Sequence, residues 1–118
     1  MLEKRPDLEQ RRTQRYQMQL PLQIIQLGSE KVNRVEQTRD ISSGGVSFLS
    51  RSEVPVDLRI EYLITLSGSN PPVRIRCLGK VIRNSRREGE SLPFEVAVTM
   101  DRYQFMSPQE FQAYAAAS

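Results

Sequence analysis

Histidine is absent from the 118 residues, cysteine occurs once, and aromatic residues make up only 7% of the chain. Without histidine, the chain lacks the commonest general base and the commonest metal ligand. The lone Cys77 cannot form an intramolecular disulfide, and a structural zinc site has too few ligands. No glycine-rich phosphate loop opens a helix. These absences favour a binding protein that is not an enzyme and that holds no cofactor and no metal.

Long apolar runs are also missing, and none approaches the roughly 20 residues that span a bilayer. Residues 1–15 are charged and lack the apolar middle of a signal peptide. We therefore expect a protein without a membrane span that resides in the reducing cytoplasm.

The charge that is present consists mainly of arginine. The net charge is +3, with 17 basic residues, of which 14 are arginine and three are lysine. A net charge of this size is too small to predict that the protein wraps long nucleic acid. The guanidinium fork suits phosphates and guanine edges, although genomic base composition alone can also produce an arginine-rich surface.

Alternating apolar positions predict six short strands. The clearest stretches are residues 58–66, 73–81 and 94–100, in which every second side chain is apolar. The alternation breaks at Ile24 and Ile25, which predicts a bulge there. Six such strands with turn residues between them predict an all-β fold, a small six-stranded antiparallel barrel over about residues 17–101. Cys77 shares the apolar parity and is predicted to lie in the core.

The pattern changes near the C-terminus. Ser107-Pro108-Gln109-Glu110 has the residues of a capping box with proline at the first helical position. A helix is therefore predicted over about residues 107–116. In terms of domains, we expect a flexible arm over 1–10, a barrel over 11–101, and a C-terminal helix within 102–118 that packs on the barrel.

Two short motifs stand out. Arg11-Arg12-Thr13-Gln14-Arg15 places arginines four residues apart just before the first predicted strand, and Asp40-Ile41-Ser42-Ser43-Gly44-Gly45 lies between the second and third. Each motif alone has an ordinary explanation, because arginines are abundant here and Asp, Ser and Gly are common turn residues.

In this order and on a barrel pattern, the two motifs resemble the PilZ domain family. Arg11 and Arg15 match the RxxxR motif of that family, and Asp40, Ser42 and Gly45 match its (D/N)xSxxG motif. The resemblance covers about residues 11–101. One departure is Ala97, where many members have glycine, and it bears on barrel packing more than on ligand contact. Members fold as six-stranded barrels and bind the bacterial second messenger cyclic di-GMP, so the resemblance implies a PilZ-type barrel with that function.

The chemistry of such a site is consistent with this ligand, which has two phosphates and two guanines. Arginine forks suit phosphate oxygens and the O6/N7 edge of guanine. A carboxylate can accept hydrogen bonds from the N1–H and N2–H groups of guanine at the same time. A glycine, which has no side chain, lets the backbone come close to the base. The expected ligand-binding residues are Arg11, Arg12, Arg15, Asp40, Ser42 and Gly45.

The arginine-rich arm is predicted to act as a switch. Residues 1–15 carry five basic and three acidic side chains, and little apolar surface anchors them. We expect the arm to be mobile without ligand and to be ordered by a dianionic ligand. The new surface would then recruit or release an unidentified protein partner. In the family that the chain resembles, an arginine just before RxxxR is thought to favour binding of two ligand molecules. Here that residue is Gln10, or Arg11 if the frame is read loosely, so whether one or two ligand molecules bind is left open.

Two alternatives remain open at this stage. The first is a small basic barrel for single-stranded nucleic acid, which would need exposed aromatic platforms. Phe48, Tyr62 and Phe94 lie on apolar faces, so Tyr16 is the one candidate. The second is a PilZ-type interaction module that has lost its ligand, although the chain retains all the motif residues.

Overall fold

The computed structural model describes residues 14–66, 68 and 70–117. Antiparallel strands make up most of this part of the chain, and one helix follows them. The elements are β1 (Tyr16–Gln17), β2 (Pro21–Leu27), β3 (Glu30–Ser42), β4 (Gly45–Ser50), β5 (Arg59–Leu66), β6 (Val73–Arg86), β7 (Phe94–Thr99), β8 (Arg102–Met106) and α1 (Pro108–Ala117).

Six of the strands close into a barrel. The hydrogen-bonded order is β3-β2-β5-β6-β7-β4, and β4 pairs again with β3. Each of these pairs is antiparallel, so the predicted six-stranded antiparallel barrel with a C-terminal helix is confirmed. The predicted bulge is also present, since the β2 register shifts between Ile24 and Gln26.

The barrel interior is formed by the alternating apolar side chains. Tyr62 and Phe48 are the largest fully buried residues, and Cys77 is buried beside them, as its parity predicted. Phe94 is half-buried and packs against this core. Burial of apolar surface of this kind provides the main stabilisation of a small domain.

Two additional strands were not predicted. β1 pairs with the end of β3, where Tyr16 lies opposite Ile41 and Gln17 opposite Asp40. β8 pairs with the first part of β6. The segment 102–118, which was expected to contain the helix, therefore begins with a strand. The first part of the long strand β6 extends beyond its pairing with β7, and β8 takes over as its neighbour there.

The capping box at the start of α1 is confirmed. The Glu110 backbone N–H donates to Ser107 Oγ at 3.1 Å, and the Ser107 N–H donates to Glu110 Oε1 at 2.8 Å. The helix contacts the sheet through Arg74, whose guanidinium carbon lies 3.6 Å from the centre of the Phe111 ring. Among the described residues, no helix has the length and apolar character needed to cross a membrane.

Candidate ligand-binding site

The Asp-Ser-Gly motif forms the tight hairpin between β3 and β4. Ser42 and Gly45 lie opposite each other in the β3–β4 register. Ser42 Oγ accepts from the Gly44 N–H and donates to the Gly45 carbonyl, both at 3.3 Å. The serine hydroxyl therefore holds the turn in this structure, as serine side chains commonly do.

Gly45 has an internal reason to be glycine. A Cβ atom built on it would lie closer than 3.0 Å to the Val98 carbonyl oxygen, a separation that real Cβ atoms essentially never show. Gly45 therefore allows β4 to approach β7 where the barrel closes. The neighbouring Gly44 has nothing within 4 Å of such an atom.

Asp40 joins the two sequence motifs. Its carboxylate accepts a hydrogen bond from Arg15 Nη1 at 2.8 Å. The contact arises because β1 pairs with the end of β3 and places Gln17 opposite Asp40. The Arg15 side chain is 58% exposed and that of Asp40 is 16% exposed, so the guanidinium remains accessible to a ligand.

The structure thus brings Arg15, Asp40, Ser42 and Gly45 to one end of β3. The other two residues of the expected site, Arg11 and Arg12, lie outside the described residues.

A second bulge modifies the strand beside this site. In the β3–β4 register, Thr38 lies opposite Phe48 and Asp40 lies opposite Ser47, so Arg39 is an extra residue. Bulges of this kind re-aim side chains and are common next to functional sites. The expected site was taken from the two sequence motifs, and Arg39 lies outside both of them. Simple alternation would also have placed Arg39 and Asp40 on opposite faces.

Arg39 is held by an acid from another strand. Arg39 Nη1 donates to Glu95 Oε1 at 2.9 Å, with side-chain exposures of 43% and 21%. Arg39 also borders a hollow of about 410 Å³ between the β1–β3 region and the β6–β7 connection. Its lining residues are Gln17, Met18, Gln19, Gln37, Thr38, Arg39, Leu49, Arg87 and Leu92.

The buried ionisable groups lie away from this surface. Burial raises the pKa of the Cys77 thiol to about 12, so the sulfur is protonated at neutral pH. Burial also raises the pKa of Tyr62, whose hydroxyl donates to the Thr99 carbonyl at 2.9 Å. Both groups belong to the barrel core.

Together, the fold and this surface define a small antiparallel barrel with a polar site at the outer end of one hairpin. The chain matches the family model for the PilZ domain over residues 9–115. The protein therefore belongs to the PilZ domain family, whose members are in general cyclic di-GMP-binding modules. A search of curated proteins found no match.

Proposed function

We propose that this protein is a cytoplasmic cyclic di-GMP receptor and not an enzyme, and that it transmits ligand binding to a protein partner. The observation that carries the proposal is the contact between Arg15 and Asp40, which joins the two motifs on one surface. Membership of the PilZ family provides independent support.

The Arg15–Asp40 pair supports a partner exchange. Guanine offers two adjacent donors, N1–H and N2–H, which a carboxylate such as Asp40 can accept together. Arg15 would then turn its fork to a ligand phosphate, where bonds to a charged group are stronger than neutral ones. The pair is partly exposed, and surface ion pairs contribute little stability, so the exchange costs little.

The proposed site extends into the N-terminal segment. Arg11 and Arg12 would add phosphate contacts, and the charge of residues 1–15 favours closure of this arm over a dianionic ligand. Ordering of the arm would change the surface that a partner meets. This step rests on the sequence and on the position of Arg15 beside β3.

Calorimetric titration with cyclic di-GMP tests the site. We expect Arg15→Ala to weaken binding by about one to two orders of magnitude, because a bond to a charged group contributes roughly 1.5–3 kcal/mol. Asp40→Ala should weaken binding and reduce the preference over cyclic di-AMP. Arg59→Ala on β5 is the matched control, since β5 pairs with neither β3 nor β4. No binding by the unmodified chain at high micromolar ligand would refute the function.

Amide hydrogen exchange tests the arm. With cyclic di-GMP, residues 5–16 should gain protection, whereas strands 58–66 and 73–82 should change little. Protection of residues 5–16 that is already complete without ligand would refute the switch and leave a static site.

Exposed aromatic side chains on β8 support the alternative function, which is binding of single-stranded nucleic acid. Tyr103 and Phe105 on β8 are about 60% exposed, as is Tyr16 at 56%. The rings of Tyr103 and Phe105 lie edge to face with centroids 6.4 Å apart. If a single-stranded oligonucleotide binds, Tyr103→Ala/Phe105→Ala should abolish that binding while Arg15→Ala leaves it unchanged. If neither ligand binds, an interaction module without a ligand remains.

A further inference from the structure

The bulge in β3 places a second arginine beside Asp40. Because Thr38 pairs with Phe48 and Asp40 with Ser47, Arg39 is the inserted residue. We propose that Arg39 is an additional ligand-binding residue, that Glu95 occupies it in the free protein, and that a ligand phosphate displaces Glu95. This inference rests on the proposed function.

The Arg39–Glu95 contact crosses a neighbouring strand. β4 lies between β3 and β7 in the sheet, so an ion pair from Arg39 to Glu95 must pass over β4. Val96 and Val98 belong to the core, which places Glu95 and Ala97 on the outer face. The Arg39 guanidinium therefore lies over β4 on the outer surface, and the Arg39 side chain is 43% exposed.

Ser47 marks a polar position on the same surface. It pairs with Asp40 and Ala97, is only 2% exposed, and its hydroxyl has no hydrogen-bond partner among the described residues. Buried polar groups usually have a partner, and each exception needs an explanation. A polar ligand atom bound on this surface would give the Ser47 hydroxyl the hydrogen-bond partner that it lacks among the described residues.

The hollow continues the surface beyond Arg39. Three glutamines line it (Gln17, Gln19 and Gln37), together with Arg87. A dinucleotide with one guanine on Asp40 and its second half in this hollow would pass Arg39, which borders the hollow. A phosphate between the two halves could then be bound by the Arg39 guanidinium, which suits phosphate oxygens in a bidentate manner.

The two partners of the ion pair should have opposite effects on affinity. By calorimetry with cyclic di-GMP, we expect Arg39→Ala to weaken binding about tenfold or more, because it removes a charged hydrogen bond. Glu95→Gln should tighten binding by about 1.5- to 5-fold, since it removes a competitor worth no more than an exposed ion pair. The double variant should match Arg39→Ala, and Arg39→Lys should restore part of the affinity.

A matched control lies elsewhere on the barrel. Arg76 pairs with Glu61 across β6 and β5, with similar exposures of 47% and 14%. Arg76→Ala and Glu61→Gln should leave the affinity unchanged, which separates local contact from general loss of positive charge.

Three outcomes would contradict the proposal. Unchanged binding by Arg39→Ala, with the unmodified protein binding normally, would remove Arg39 from the site and leave the proposed function intact. Equal losses of affinity and of melting temperature in Arg39→Ala and Glu95→Gln would make the pair a structural link. Absence of binding by the unmodified protein would overturn the proposed function itself.

Discussion

Replacing Gly45 with alanine adds a methyl group where the barrel has no space for one. The new Cβ would lie closer than 3.0 Å to the Val98 carbonyl oxygen and 3.4 Å from Thr99 Cα, and these are backbone atoms that cannot rotate away. β4 and β7 would have to separate at the Gly45–Thr99 and Val46–Val98 pairs. The change therefore acts on barrel closure as well as on the motif to which Gly45 belongs.

The expected cost follows from two effects. Overpacking in a close-packed region typically costs about 1–3 kcal/mol, and weakening one or two strand hydrogen bonds adds about 0.5–1.5 kcal/mol each. Together these effects should lower the free energy of unfolding of Gly45→Ala by about 1.5–6 kcal/mol. At roughly 4 °C per kcal/mol for a domain of this size, the melting temperature should fall by about 6–24 °C.

Urea and thermal unfolding followed by circular dichroism measure this effect, with Gly44→Ala as the control. No heavy atom lies within 4 Å of a Cβ built on Gly44. The free energy of unfolding of the Gly44→Ala variant should therefore change by less than about 1 kcal/mol. If the two variants are equally stable, the close approach of β4 and β7 does not explain Gly45. If Gly45→Ala is as stable as the unmodified protein but loses cyclic di-GMP, the glycine serves the ligand alone.

Three further outcomes are expected. Arg15→Lys should bind cyclic di-GMP with an affinity between those of the unmodified protein and Arg15→Ala, since lysine retains the charge but loses the guanidinium fork; calorimetry would contradict this if lysine restored full affinity. The pKa of the Cys77 thiol is raised to about 12 in the folded protein, whereas the unfolded chain ionises near the ordinary value of 9.0. The free energy of unfolding therefore keeps this contribution in full below pH 9 and loses it as the pH rises towards 12. From pH 9 to 10 the loss is about 1 kcal/mol. Urea unfolding at both pH values should show this slope, and Cys77→Ala should reduce it. Ser107→Ala removes a reciprocal N-cap that stabilises the helix by about 1 kcal/mol. Amide hydrogen exchange over residues 108–117 should therefore become faster in this variant. In Ser107→Thr, which retains a hydroxyl, the same amides should stay protected.

The barrel could be predicted because its information is local and repeated. Alternation identifies the inward positions of β5, β6 and β7, and the capping box identifies the start of α1. The first bulge was also predictable, because Ile24 and Ile25 are both apolar and interrupt the parity. These features depend on neighbours within a few residues of one another, which a single sequence displays.

Features that depend on distant partners were missed. β8 exposes Tyr103 and Phe105 on one face, so its alternation does not separate a buried side from a solvated side. The bulge at Arg39 does not interrupt any alternation of apolar residues, because Thr38, Arg39 and Asp40 are all polar. Its existence follows from pairing with β4, and the role of Glu95 follows from the position of β7, 56 residues further along the chain.

Residues of the Asp-Ser-Gly motif can form a turn and bind a ligand at the same time. Ser42 closes the hairpin and Gly45 admits the neighbouring strand, so both have internal partners that account for their identity. Asp40 differs, because its carboxylate meets Arg15 from outside the hairpin, at a partly exposed position. A turn that needed only a cap would gain nothing from an arginine 25 residues away in the sequence. Ser42 and Gly45 therefore position one carboxylate, and the arginine that pairs with this carboxylate belongs to the motif expected to bind phosphate.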